Sequence, residues 1–195
     1  MGTTIYVTAI ILALSCLNSC QQFSSNYHMA IKNPGARLAH VPGKAAVIFE
    51  KESGGTYSAS FWDVTDREKP SVVAVLAPTM KAAHFIQPGE YFFLSVVAGR
   101  RSLVRVNAAA DRTYCLNFDG TLFVPIKQGR THPIDFKDFS VMLPAGDAWA
   151  NRPRTINSVK RHAAKAYSSW SKLTEEERNP LVLEADETCR SMPEA

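Results

Sequence analysis

The chain has 195 residues, with 22 Lys and Arg set against 18 Asp and Glu for a formal net charge of +4. That length suits one sizeable core, or one domain with an appendage. The positive excess is too small to imply a nucleic-acid partner by itself, and it lies entirely after residue 19, because residues 1–19 contain no charged residue or histidine.

The N-terminus reads as an export signal. Residues Ile5 to Leu17 (IYVTAIILALSCL) are apolar except for Thr8 and Ser15. The run is too short for a membrane span, which needs roughly 20 residues, and fits the h-region of a secretory signal. The stretch ALSCLNSCQQF (13–23) then places two cysteines at its exit. It resembles a bacterial lipoprotein signal, in which a Leu-x-small-Cys box is cut just before the cysteine. Leu17-Asn18-Ser19-Cys20 matches that box. Ala13-Leu14-Ser15-Cys16 matches less well and would leave Leu17 beside the anchor. The expectation is a signal peptide over residues 1–19, lipidation at Cys20 and loss of Cys16 with the peptide. No Lys or Arg precedes the apolar run, which a start codon set too far downstream would explain. A plain cleaved signal or an uncleaved anchor is the alternative. N-myristoylation of MGTTIY fails on Tyr6, where Ser or Thr is required. Gln21 rather than Asp after the anchor implies, by the same resemblance, the outer membrane facing the periplasm.

Residues 20–43 have no sustained period and read as a tether. From Lys44 the texture changes to short β-rich runs closed by turn signals. They are KAAVIFEK (44–51), TYSASFWDV (56–64), SVVAVLA (71–77), KAAHFIQ (81–87), EYFFLSVVA (90–98), SLVRVNA (102–108), TYCLNF (113–118) and TLFVPIK (121–127). Seven or eight strands at this spacing predict an antiparallel β-sandwich or barrel over residues 44–128. Asp119-Gly120 is the strongest hairpin signal. Pro88 fixes φ and Gly89 accepts positive φ, so a tight reversal is expected there. The candidate core is Val72, Val75, Phe85, Phe92, Leu94, Val104, Leu116 and Phe118.

The segment FIQPGEYFFLSVVAGRRSLVRVNAAADRTYCLNF (85–118) resembles the strand–Pro-Gly-x-Tyr–strand unit of prealbumin-like (transthyretin-like) sandwiches. Together with GKAAVIFEK and the lipobox, it resembles bacterial lipoproteins of the DUF2846 type over about residues 43–127. The resemblance implies the sandwich and the anchor. It implies no catalytic residue.

Residues 129–150 form an irregular connector with apolar islands, and residues 151–190 a helical segment. From Arg154 to Lys172 the period is helical: Ile156, Val159, Ala163, Tyr167 and Trp170 share one face. Arg154, Arg161, Lys165 and Lys172 share the opposite one, and residues 151–172 include no acid. Such a helix can dock on its own domain or lie on an anionic membrane; docking is the expected arrangement. Thr174-x-x-Glu177 is a capping box opening a second, acidic helical piece, which Pro180 can restart. WSKLTEEERNPLVLEA resembles a helix junction of an HMG box, but the basic stretch before it is too short to hold two helices. Nucleic-acid binding is not expected.

Chemistry-bearing motifs are missing: no G-x-S-x-G, H-E-x-x-H, P-loop or G-x-G-x-x-G occurs. The five histidines have no ligand spacing, and His84 reads as a half-buried strand residue. Asp63 and Asp66 could suggest paired carboxylates or calcium, but their place at a strand end favours turn chemistry. Phe61 and Trp62 point to opposite faces of a strand, so one is exposed or covered by the C-terminal helix. Cys115 and Cys189 can pair in an oxidising periplasm, a loop closure worth roughly 4 kcal/mol, or remain separate buried thiols. No enzyme activity, metal or cofactor is expected. The leading function is a non-catalytic interaction or structural module, held on the membrane by its lipid and facing envelope proteins. The alternative is a binding module for a glycan or anionic envelope polymer, using exposed aromatics and the basic face of Arg154, Arg161, Lys165 and Lys172.

Overall fold

The computed structural model describes residues 30–32, 41–51, 59–76, 80–97, 100–118, 123–125, 140–142 and 152–189. The lipobox, Cys16, Cys20, His28, His40, His132 and the turn residues Asp119-Gly120 lie outside the described residues.

The chain is mainly β, with a helix near its C-terminus. In chain order the strands are β1 (Ala30–Lys32), β2 (Ala45–Lys51), β3 (Ala59–Asp63), β4 (Ser71–Leu76), β5 (Lys81–Ile86) and β6 (Gly89–Val97). Then follow β7 (Arg100–Ala108), β8 (Thr113–Phe118), β9 (Phe123–Pro125), β10 (Ser140–Met142) and β11 (Val182–Leu183). The helices are α1 (Pro153–Trp170) and the single turn α2 (Glu175–Arg178), followed by a 3₁₀ turn at Asn179–Leu181. Six strands make one sheet in the order β1-β10-β5-β2-β8-β9. Five make the other, β11-β7-β6-β3-β4.

Alternating side chains decide what each sheet buries. Val47 and Phe49 of β2, with Tyr114 and Leu116 of β8, meet Phe61, Phe93, Val104 and Val106 of the five-stranded sheet in one core cluster. Phe49 sits at its centre, 5.3 Å from the Phe61 ring and 5.2 Å edge-on from Phe93. The other face of the five-stranded sheet presents Trp62, Leu94 and Leu103 to α1, whose Val159, Ala163, Ala166, Tyr167 and Trp170 complete a second cluster. Two sheets and a helix thus stack in succession.

Several expectations need correction. Both sheets are mixed rather than antiparallel: β2 runs parallel to β8, β5 to β10 and β7 to β11. The chain leaves β2, builds most of the other sheet, and re-enters beside β2 from the same end. Alternation identifies a strand but carries no sign of its direction. Pro88-Gly89 does not close a hairpin: β5 pairs with β2 while β6 pairs with β7 and β3, so the pair carries the chain between sheets. Gly89 has φ 153°, open to glycine and awkward for other residues. Ala30–Lys32, expected within the tether, pairs antiparallel with Ser140–Met142, expected within the connector. Three-residue strands are too short to show a period of two. Strand β8 does pair antiparallel with β9, on either side of residues 119–122. Of the candidate core, Val75, Leu94, Val104, Leu116 and Phe118 are buried. Val72, Phe85 and Phe92 are only half-buried, Val72 and Phe92 against the helix cluster and Phe85 on the outer side of its sheet.

Candidate functional site

Helix α1 forms where sequence periodicity places it because Pro153 occupies its first turn and no glycine or proline interrupts it afterwards. Its apolar stripe drives docking. Trp170 stands edge-on to Phe92 with ring centres 5.9 Å apart, and Tyr167 packs on the same ring at 5.1 Å. The Tyr167 hydroxyl donates to the Val64 carbonyl oxygen at 2.9 Å. Burial pushes the Tyr167 hydroxyl up to about 12, against the opposing pull of the Arg67 guanidinium. That guanidinium lies 3.8 Å over the tyrosine ring.

Asp63 and Asp66 build the turn that presents Arg67. Asp63 Oδ1 accepts from the Thr65 N–H and Asp66 Oδ1 from the Glu68 N–H, both at 2.9 Å. Thr65 Oγ1 in turn accepts from the Phe92 N–H, and Glu68 pairs with Lys160 of α1 at 2.9 Å. The two carboxylates therefore shape a turn that grips the helix. Phe61 and Trp62 are 0% and 1% exposed, on opposite sides of β3, so neither offers a stacking surface.

After α1, the Thr174 N–H and hydroxyl bond the Glu177 carboxylate while Glu177 N–H returns a bond to Thr174 Oγ1, the reciprocal cap read from the sequence. These bonds hold the Glu177 carboxyl below its ordinary range. The chain then returns along the edge of the five-stranded sheet. Strand β11 pairs with Arg105 and Val106 of β7. Glu184 receives Arg105 Nη2 at 3.3 Å and the Asn107 side-chain amide. The Tyr114 hydroxyl accepts from Ala109 N–H and donates to the Ala185 carbonyl at 3.0 Å. Finally Cys189 N–H bonds Thr113 O, and a disulfide joins Cys189 to Cys115 across a Cα–Cα distance of 5.7 Å. Residues 182–189 are a clasp from the five-stranded sheet to the six-stranded one. Sequence left pairing and separate thiols open, because proximity depends on how β8 and the C-terminal segment come together.

The four cations Arg154, Arg161, Lys165 and Lys172 are all exposed; Arg154, Arg161 and Lys165 lie on α1 opposite its buried stripe, whereas Lys172, expected on the same helix face, falls in the turn after Trp170. Beside them a cavity of about 450 Å³ runs between the N-terminal half of α1 and the sheet. Its floor is Ser60, Trp62 and Val96; its helix wall carries Thr155, Ser158 and His162; Arg152 and Arg154 stand at its mouth. Ser60, Val96 and Arg101 form one row across β3, β6 and β7. Arg101 shares a strand face with Leu103, two residues on, and that face is turned to the helix. Burial lowers the His162 imidazole from its ordinary value, and Arg101, Lys165 and Arg161 add to the effect. Sequence reading missed Arg101, since the row depends on register between strands.

A second cavity, about 590 Å³, lies by the clasp and mixes Glu175, Glu176 and Glu184 with Arg105 and Arg178. His84 is half-buried on the core side of β5, between Ala82 and Ile86. Burial holds it below the ordinary histidine value, with nearby Asp63 opposing. Among the described residues no three His, Cys, Asp or Glu side chains could hold a metal ion, and no helix is long and apolar enough to cross a membrane. Comparison with protein families, curated proteins and solved structures gives no match.

Proposed function

We propose that this protein is exported, acylated at Cys20 and held on the bacterial outer membrane facing the periplasm. There its folded part works as a non-catalytic interaction module of the prealbumin-like sandwich type, similar to DUF2846-type lipoproteins. The observation that carries the interaction reading is the exposed set Arg154, Arg161 and Lys165 on a helix whose apolar face is already occupied, with Lys172 in the turn that follows. A helix so seated has its charged face left for contacts outside the domain. The lipobox supports the anchor.

A second reading, binding of a glycan or anionic envelope polymer, gains support from the cavity that Arg154, together with Arg152, lines. Its aromatic component loses support, because Phe61 and Trp62 are buried. Mass spectrometry of the purified membrane form tests the anchor: a diacylglyceryl Cys20 at the N-terminus is expected. An intact Met1, or a soluble product cut elsewhere, overturns it. Crosslinking in its own cells followed by pull-down separates a protein partner from a polymer. Capture that depends on the four cations is expected; capture unchanged when all four become Gln overturns the helix as the contact surface.

A further inference from the structure

We infer that the cleft between α1 and the Ser60–Val96–Arg101 row seats an oxyanion group of a linear, phosphate-bearing polyanion, whose chain continues along the basic row of the helix. The inference rests on the anionic-polymer reading of this surface and names its ligand chemistry. Three separate elements converge. Arg152 and Arg154 at the entry to α1 line the cleft itself, while Arg101 of β7 and Arg161 and Lys165 of α1 stand near its wall, close enough to act on the charge of His162. None of these five has an ion-pair partner among the described residues, whereas Lys160, on the side of the same helix facing the 65–69 turn, is paired with Glu68.

The described lining contains no carboxylate, unlike the mixed-charge cavity by the clasp. Its polar groups include donors suited to phosphate oxygens, the Ser60, Thr155 and Ser158 hydroxyls beside guanidinium forks, with the His162 imidazole among them. A half-open depression of about 450 Å³ beside the helix gives a narrow chain a place to lie below the ridge that a flat bilayer surface would meet. The apolar face of α1, which a membrane-bound helix would insert, is committed to Trp62, Leu94 and Leu103. From Arg154 to Lys165 the cations extend along roughly 16 Å of helix, at about 1.5 Å per residue, and Lys172 follows in the turn after it, which suits an extended chain better than a single small anion.

The test is titration of the purified full chain with fluorescently labelled short-chain inorganic polyphosphate, followed by anisotropy at several salt concentrations. The cleft variant Arg101→Gln/Arg154→Gln is compared with Lys69→Gln/Arg112→Gln, which removes two exposed charges elsewhere. Melting temperatures confirm that both fold. The expected result is a loss of about tenfold or more in affinity for the cleft pair, and a salt slope shallower by one to two. The control pair should stay within about twofold. Equal losses in the two pairs would mean diffuse attraction and overturn the site. So would absence of polyphosphate binding, or binding to phosphatidylglycerol vesicles alone. Because purified protein is used, the result does not depend on acylation: a failed titration leaves the Cys20 reading intact, and a failed Cys20 reading leaves the titration standing.

Discussion

Replacing Trp170 by Ala removes the last anchor of α1 and measures what docking is worth. The indole is 9% exposed and stands edge-on to Phe92. An indole buries on the order of 200 Å², which at about 25 cal/mol per Å² sets an upper bound of about 5 kcal/mol. Truncating a buried aromatic costs about 3–5 kcal/mol, and the better helix propensity of Ala returns about 0.5 kcal/mol. A net loss of about 3 kcal/mol follows, which for a chain of this size lowers the melting temperature by about 6–12 °C. Thermal and urea unfolding followed by circular dichroism read it, with Lys172→Ala as the exposed control. A shift no larger than that of Lys172→Ala would refute the docked helix, most decisively if the Trp170 variant also lost binding to anionic liposomes.

Tyr167→Phe keeps the ring but leaves the Val64 carbonyl without its hydroxyl donor; a loss of about 1 kcal/mol in urea unfolding is expected, and none at all would contradict the buried hydrogen bond. Cys189→Ser opens the clasp and should cost about 2–4 kcal/mol, with faster proteolysis of residues after α1; equal unfolding midpoints for the wild-type and the variant would argue against the bond. His84 and His162 are both held below the ordinary value of 6.5 by burial, so the unfolded chain takes up protons first as pH falls. Their contribution is therefore complete above about pH 6.5 and shrinks below it; urea midpoints at pH 7.5 and 5.5 should differ, and the double His→Gln variant should narrow the difference.

What the sequence made legible follows physical range. The docked stripe of α1 and the Thr174–Glu177 cap depend on residues within a turn or two of one another, and both are in the structure at the expected places. The β character of the described strands β2 to β8 is equally local. Strand direction and sheet membership are not: whether β5 continues into a hairpin at Pro88-Gly89 or crosses to the other sheet depends on partners far along the chain. Core choice fails for the same reason. Phe92 and Phe93 are adjacent aromatics, and only the stacking of sheet, sheet and helix puts Phe93 in the inter-sheet core and Phe92 beneath α1. The cleft was half legible. Its helix cations could be read from a wheel, but Arg101 is set on the helix side of the sheet only by the register that pairs it with Val96.

The clasp has a consequence for how α1 behaves when it lifts. The Cys115–Cys189 bond closes a loop that contains the whole of α1, so both ends of the helix stay attached to the body even while it is undocked. A short tether of that kind keeps its own segment at an effective concentration on the order of millimolar over the vacated surface. Any apolar competitor for the Trp62–Leu94–Leu103 face must outbid a rival present at that level, and one that returns without diffusing from solution. Outside molecules therefore meet the helix by its charged side, and the apolar seat stays private to the chain.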